Sequence, residues 1–569
     1  VIKNCLYKVL KLKDTSALGK HIVVQGGTMR NDAVVRALEV LTDTEVTRCN
    51  IPELMGAFGC ALHAITCQGA ETELDNLISK AHYTSRLLHC KGCSNQCPVV
   101  RYHFDNGTNY YSGNRCEKIF TNENIRKKPG ANLYQEKNEL LFSRCNTKAG
   151  ACKLTIGIPR CLNMYEDFPF WHTLFTACGI QVVLSAPSNF RHYEHNARLV
   201  MSDNICFPAK LVHSHIQDLI EKKVDRIFMP YVVFERNDKG QNSYNCPIVT
   251  GYSDVIKSVQ ASDIPIDTPA VTFKHDELLL KQCSIYLKSL GLNMDDKTIR
   301  QAFAKAKNEQ ELFGKTLAER CREALRQAEQ EERLVILLAG RPYHTDPLIQ
   351  HKVAQIISDM GIDVITEDII RDTDIDINDK STHFLSQWAY PNRILKAAKW
   401  CSMQNSRIQF VEMTSFGCGP DAFLSDEVRD LLIRHGKALT LLKLDDINNV
   451  GSMKLRIRSL VESLNAAIKA DRLHKATAQT MPATAPEENN WLQRKIIVPY
   501  FTPFLSPLIP AIMRCAGYDV ENLPLSNQAS CDWGLKYANN EVCYPATLIV
   551  GDVVRAFKEN RYDPGNTIV

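Results

Sequence analysis

Cys90-Lys91-Gly92-Cys93-Ser94-Asn95-Gln96-Cys97-Pro98, followed by Cys116, spaces four thiols as C-x2-C-x3-C-x18-C. The x2 step lets two thiolates from one tight turn reach one metal, and Gly92 frees the backbone to make that turn. Four thiolates suit tetrahedral zinc or a [4Fe–4S] cluster, and spacing alone leaves open a zinc knuckle that folds a loop and a redox centre. A second set of cysteines stands just before proline: Cys206-Phe207-Pro208, Cys418-Gly419-Pro420 and Cys543-Tyr544-Pro545. Cys246-Pro247 is a further candidate ligand, and Cys531 an outsider. A cysteine at the first turn of a helix feels the positive helix end and free N–H groups, which favours thiolate, and proline there sacrifices no needed donor. Sulfurs from separate repeats that converge in one cleft could hold a cluster by three thiolates, with one iron open to substrate. The bland alternative is that Cys-x-Pro only starts three helices.

Other residues carry weaker signals. Arg341-Pro342-Tyr343-His344 ends an expected strand, where a neutral His344 could transfer protons or simply serve the structure. Lys210, His213 and His215 follow Cys206 and are expected on a helix surface. Cys5, Cys283, Cys321, Cys401 and Cys515 lack a partner motif and are expected to pack as small hydrophobes.

The elements that must position these groups repeat. Leu154-Thr155-Ile156-Gly157-Ile158, Leu334-Val335-Ile336-Leu337-Leu338-Ala339 and Lys495-Ile496-Ile497-Val498 are apolar strands running into loops with proline and an aromatic residue. Each loop leads to a helix that stops at a glycine, Gly179, Gly361 or Gly517, before a second strand. Strand–helix–strand units of this kind imply parallel sheets, with ligands beyond the strand carboxyl ends. Ahead of them, a short strand over residues 21–25 breaks at Gly26-Gly27 and a helix follows, an arrangement that brings backbone close to a phosphate or nucleoside, or merely makes a tight turn. Residues 80–150 are polar, loop-rich and dense in Cys, Asn and Gly, and need an internal staple.

Composition bounds the possibilities. A length of 569 residues predicts about four compact units. Apolar residues at 44% and charged ones at 23% are those of a globular protein. Lys plus Arg is 68 against 64 for Asp plus Glu, a balance of +4 that argues against nucleic acid. The longest apolar runs fall far short of the ~18 residues a membrane span needs. The 21 cysteines are odd in number and no signal sequence precedes them, which points to metal or redox chemistry in the cytoplasm rather than a disulfide framework. The chain opens on Val1 and closes on strand-like Asn566-Thr567-Ile568-Val569, so a fragment of a longer polypeptide is expected.

The motifs resemble a known family. Gln25-Gly26-Gly27, Asn31-Asp32 and Gly56-Ala57-Phe58-Gly59 resemble the C-terminal end of the actin-like ATPase activators of 2-hydroxyacyl-CoA dehydratases. Gly157-Ile158-Pro159-Arg160, Cys206-Phe207-Pro208-Ala209-Lys210, Arg341-Pro342-Tyr343-His344 and Ser415-Phe416-Gly417-Cys418-Gly419-Pro420-Asp421 resemble the dehydratase-like partner fused to such activators, a group related to benzoyl-CoA reductases and double-cubane-cluster reductases. The resemblance implies an activator that hydrolyses ATP with Mg to push a low-potential electron into the partner. The partner then dehydrates or reduces an acyl-CoA or another small substrate.

It further implies an electron donor such as ferredoxin, a homo-oligomer in full-length form, Gly26 and Gly27 beside the adenosine, and Cys206 and Cys418 as ligands of a [4Fe–4S] or double-cubane cluster. Cys543 joins them by repeat analogy, and Cys90, Cys93, Cys97 and Cys116 form an accessory cluster. The activator's phosphate-binding segments are absent from these residues, so ATP hydrolysis by this chain alone is not expected.

The expected fold class is α/β: repeated parallel-sheet, Rossmann/flavodoxin-like domains, preceded by the end of an actin-like ATPase fold and a Cys-rich module. The expected boundaries are 1–78 activator end, 79–150 Cys-rich module, 151–273 first α/β domain, 274–332 helical connector, 333–473 second α/β domain, 474–490 linker and 491–569 the start of a third repeat. A different class remains alongside: a non-catalytic electron-transfer or scaffold protein with structural zinc.

Overall fold

The structure, a computed structural model, describes residues 2, 5–6, 15–66, 73–79, 82–91, 98–113, 119–120, 122, 128–144, 154–202, 205–236, 242–260, 262–377, 387–415, 418–446, 450–469, 491–539 and 542–569. The chain divides into two compact units, Tyr83–Thr484 and Val1–His82 with Ala485–Val569.

In the larger unit, Val335–Ala339 and Ile408–Ser415 are buried along their whole length, as strands covered on both faces must be. They are the central strands of an all-parallel sheet in the order Asp363–Thr366, Val335–Ala339, Ile408–Ser415, Thr440–Leu444. A preceding all-parallel sheet has the order Gln181–Leu184, Thr155–Ile158, Arg226–Phe228, Ile266–Asp267. Numbered within its own sheet, each runs 2-1-3-4. The winding reverses between strands one and three, which opens a crevice beyond their carboxyl ends. Gly179 and Gly361 take φ of +74° and +81°, the left-handed helix stop that lets each second strand begin. Repeated parallel-sheet α/β domains are therefore present, as the sequence implies.

Two helices, Asp276–Ser289 and Asp296–Gln330, form the charged hairpin between the sheets. The long one serves both cores. Phe303, Phe313 and Leu317 pack with Phe170 and Trp171 of the first domain, and Cys321, Ala324 and Ala328 with Val335 and Leu337 of the second. A buried ion cluster adds a clamp: Arg371 and Arg393 of the second domain both donate to Glu166 of the first, at 2.8–3.1 Å. Burial would raise the Glu166 carboxyl, but the two guanidinium groups win and hold it well below the usual range.

The stretch expected to be loop-rich holds regular structure among its described residues. Tyr83–His89, Pro98–Phe104 and Asn109–Ser112 form an antiparallel sheet. Its hairpin turns at Asn106-Gly107, with Gly107 at φ +78°, a turn signal the composition hides. Most side chains on the outer strands are exposed, so no apolar alternation marks them. Its core among the described residues is Cys90 and Val99, with Tyr111 and Phe120 against them. The helix Leu133–Phe142 also lies in this stretch. It is spent on the second sheet: Tyr134 donates to the Leu338 carbonyl (2.9 Å), and Lys137 to Glu367 (3.1 Å) and Asp368 (2.6 Å).

In the other unit, Ile22–Val24 and Val46–Arg48 pair in parallel around the helix Asp32–Thr42, which Asn31 caps by accepting from the Ala33 N–H. A parallel sheet runs Val520–Asn522, Lys495–Val498, Thr567–Ile568, the same 2-1-3 start as the other two. No helix among the described residues is long and apolar enough to cross a membrane.

Candidate functional site

Cys206, Cys246 and Cys418 are the N-cap residues of Phe207–Glu221, Pro247–Val259 and Gly419–Arg434, each with proline in the first turn. Cys206 and Cys246 share one extended backbone conformation, φ/ψ of −61°/146° and −63°/152°. That conformation turns the side chain over the helix start, where backbone donors are free. Val249 N–H donates to Cys246 Sγ at 3.4 Å, whereas the Cys206 and Cys418 sulfurs take no cap hydrogen bond and the Ala209 N–H goes to the Cys206 carbonyl (3.0 Å).

The three thiols share one electrostatic neighbourhood. Cys246 lies within electrostatic reach of both Cys206 and Cys418, and Arg341 acts on all three. Arg341 follows strand one of the second sheet and Cys418 follows strand three, so both stand at the reversal of winding. The Arg341 side chain is 1% exposed. Its Nη2 donates to Cys418 Sγ (3.4 Å) and to Asp421 Oδ1 (2.5 Å), and its Nε to the same Oδ1 (2.9 Å).

Burial pushes the Cys206 thiol up to about 11 and the Cys418 thiol further, although Arg341 and the helix N–H groups pull both down. The helix start acts in the expected direction, and desolvation outweighs it.

The chain topology also corrects the repeat alignment. Cys206 and Cys543 both lie between the second and third strands of their sheets, whereas Cys418 lies between the third and fourth, as Cys246 does. The counterpart of Cys206-Phe207-Pro208 and Cys543-Tyr544-Pro545 in the second domain is Ala389-Tyr390-Pro391. Cys246 is thus the structural equivalent of Cys418. Cys543 caps Tyr544–Lys558 in the other unit and is exposed, and Cys531 accepts from the Tyr544 hydroxyl at 3.4 Å.

His344 is fully buried. Its Nδ1 accepts from the Arg341 N–H (3.0 Å), its Nε2 faces Ser415 Oγ (3.4 Å), and burial lowers its pKa to about 3. It stitches the turn that carries Arg341. Lys210, His213 and His215 are buried too, not on a helix surface, because their helix packs on both domains. Phe207 stacks on His351, Lys210 binds Asp446 (3.0 Å), His213 meets Tyr252 (2.9 Å), and His215 lies between Ser185 (2.9 Å) and Ser188 (3.0 Å).

Cys90 is buried at the end of Tyr83–His89; Cys93, Cys97 and Cys116 lie outside the described residues. His89 pairs with Pro98, and Ser112 pairs with Val100 beside it, so the strand ends that lead toward Cys93, Cys97 and Cys116 lie at one end of the sheet. Gly26 takes φ +101° and donates to the Pro52 carbonyl (2.7 Å), and an added Cβ there would meet nothing within 4 Å. The Gly26-Gly27 turn is therefore open on one side. Among the described residues no group of three or more His, Cys, Asp or Glu could hold a single metal ion. A [4Fe–4S] cube sets its thiolates roughly 6–7 Å apart, wider than one ion allows.

Residues 155–370 match the family model described as a CoA enzyme activase uncharacterised domain (DUF2229). The match covers less than half of the chain and is consistent with an activase-like family and a link to CoA enzymes. No curated protein sequence matches the chain. Solved structures show only slight likeness. Glucosamine-6-phosphate deaminase from Thermotoga maritima is 11% identical over 62% of this chain and 98% of its own, with a TM-score of 0.15. The C-terminal domain of glucosamine-fructose-6-phosphate aminotransferase from Francisella tularensis is 10% identical over 59% and 88%, with a TM-score of 0.17. A carbohydrate transporter from Acidothermus cellulolyticus is 12% identical over 56% and 87%, with a TM-score of 0.14. None of these likenesses bears on function.

Proposed function

We propose that residues 83–484 form the iron–sulfur core of a reductase or dehydratase of the 2-hydroxyacyl-CoA dehydratase type, joined to an ATP-dependent electron-transfer activator. The observation that carries this reading is the contact of Arg341 with Cys418 Sγ (3.4 Å) in a buried neighbourhood where Arg341 and Cys246 act electrostatically on both Cys206 and Cys418, from two domains of the same strand order. An iron–sulfur cluster bound by these thiols supplies one-electron chemistry at low potential. The chain's own residues do the rest. Val249 donates its N–H to Cys246 Sγ, Arg341 donates to Cys418 Sγ and offsets the charge of the thiols, and buried Phe207 and Tyr343 keep water away.

Cys90, Cys93, Cys97 and Cys116 carry an accessory cluster in this reading, and Gly26 and Gly27 lie by the nucleotide of the activator. The substrate is a small molecule of the acyl-CoA type, supported by the CoA enzyme activase match over residues 155–370, and the electron donor is ferredoxin-like. For the Cys90 set alone, structural zinc has an observation in its favour: the sheet buries little beyond Cys90 and Val99 among its described residues, so a staple is what it needs.

Anaerobically purified protein is expected to be brown, with iron and sulfide in near-equal amounts and an EPR signal after reduction. Colourless protein with stoichiometric zinc would overturn the redox reading.

A further inference from the structure

An arginine facing a carboxylate ordinarily places one N–H on each oxygen. Arg341 does otherwise. Its Nε and Nη2 both go to Asp421 Oδ1, and Asp421 Oδ2, though buried, has no partner. The fork is displaced toward Cys418, whose sulfur takes the remaining reach of Nη2. The backbone fixes this pose: the Arg341 N–H is held by His344 Nδ1, and a Cβ on Gly340 would come within 2.5 Å of that nitrogen. The equivalent residue of the first domain behaves differently, since the Arg160 guanidinium lies over the Phe142 ring, 4.8 Å from its centre. Only the second of these two strand ends turns its arginine onto a cysteine.

We infer that Arg341 is a positioning residue of the three-thiol site, which, held by Asp421, aims a permanent charge and an N–H donor at Cys418 Sγ and so raises the reduction potential of the bound cluster. This rests on the iron–sulfur reading above. Guanidinium does not deprotonate in proteins, so its charge is present throughout the working pH range. A cation and a donor beside a ligating sulfur stabilise the state with the extra electron, the lever by which outer groups tune such centres.

The test uses the full chain, reconstituted anaerobically with ferrous iron and sulfide. Arg341→Met with Asp421→Asn removes both charges together and leaves neither unpaired. Asp421→Asn alone keeps the arginine. Potentials are read by EPR-monitored titration of the signal that Cys418→Ser abolishes. The double variant is expected to keep the parent's iron and sulfide while its reduction equilibrium falls at least tenfold, about 59 mV for one electron. Asp421→Asn is expected to leave the potential equal or higher.

An unchanged potential in the double variant overturns the inference and leaves the cluster reading standing. Loss of iron from a folded double variant overturns it too, because Arg341 would then serve assembly. Should the double variant not fold, Arg341→Lys decides: a fall of two- to fivefold supports the inference and no change overturns it. A parent protein that takes up no iron overturns the reading and the inference together.

Discussion

The two doubly wound domains share strand order 2-1-3-4 but contribute unequally to the site. The first supplies two thiols, Cys206 and Cys246, from two successive helix starts. The second has Ala389 where Cys206 would stand, keeps Cys418, and adds the Arg341–Asp421 pair. The repeat therefore provides positions, helix N-termini near the reversal of winding, and single residue identities decide which positions bear sulfur and which bear charge. In the proposed reading, two copies of one architecture make one composite site, with thiols split two and one. The shared helix Asp296–Gln330 and the Glu166 clamp fix the pairing.

The unequal arginines give the largest expected effect. Arg341→Ala leaves Asp421 buried without its partner and should cost about 3–5 kcal/mol of stability, read from the denaturant midpoint. Arg160→Ala removes a ring contact and should cost about 1 kcal/mol. Equal costs would break the distinction between the two strand ends.

Acid should weaken both domains alike. Burial holds His215 of the first and His344 of the second at about 3, below the unfolded value near 6.5. Their neutral state therefore stabilises the fold fully above pH 6.5. That contribution is lost as pH falls from there toward 3, at about 1.4 kcal/mol per histidine per pH unit. Unfolding midpoints measured between pH 7 and 5 should show this slope, and His215→Gln or His344→Gln should each remove one histidine's share.

The smallest effect sharpens the equivalence of the repeats. Gly179→Ala and Gly361→Ala each force a Cβ into the left-handed region and should cost about 1–2 kcal/mol, equal within error. A clear inequality in thermal unfolding would show that the two helix ends are not counterparts.

Much of this was legible in the sequence, for definable reasons. Buried parallel strands such as Val335–Ala339 are uninterrupted apolar runs, and the glycine stops after each helix are dictated by φ. Cys-x-Pro names a helix start because proline is tolerated there and hardly elsewhere in a helix. What stayed hidden depends on contacts far apart in the chain. Leu133–Phe142 has no strong amphipathic signal, since it is enclosed by two domains and buries Lys137 as well as Leu141. The role of Arg341 is not visible locally, because its partner Asp421 lies 80 residues away. Matching cysteine to cysteine would pair Cys418 with Cys206, which the strand order overturns. The aromatic-proline step at Phe207-Pro208, Tyr390-Pro391 and Tyr544-Pro545 holds the true register.

The central claim is that thiols from two domains hold a single cluster. The direct measurement is iron and sulfide per chain, with the reduced EPR spectrum, for Cys206→Ser, Cys418→Ser and the triple variant that also carries Cys246→Ser. One shared cluster requires each single variant to lose or alter the same signal, and the triple variant to lose that signal together with about four irons. Iron content unchanged in the triple variant, or separate signals lost with Cys206 and with Cys418, would contradict it.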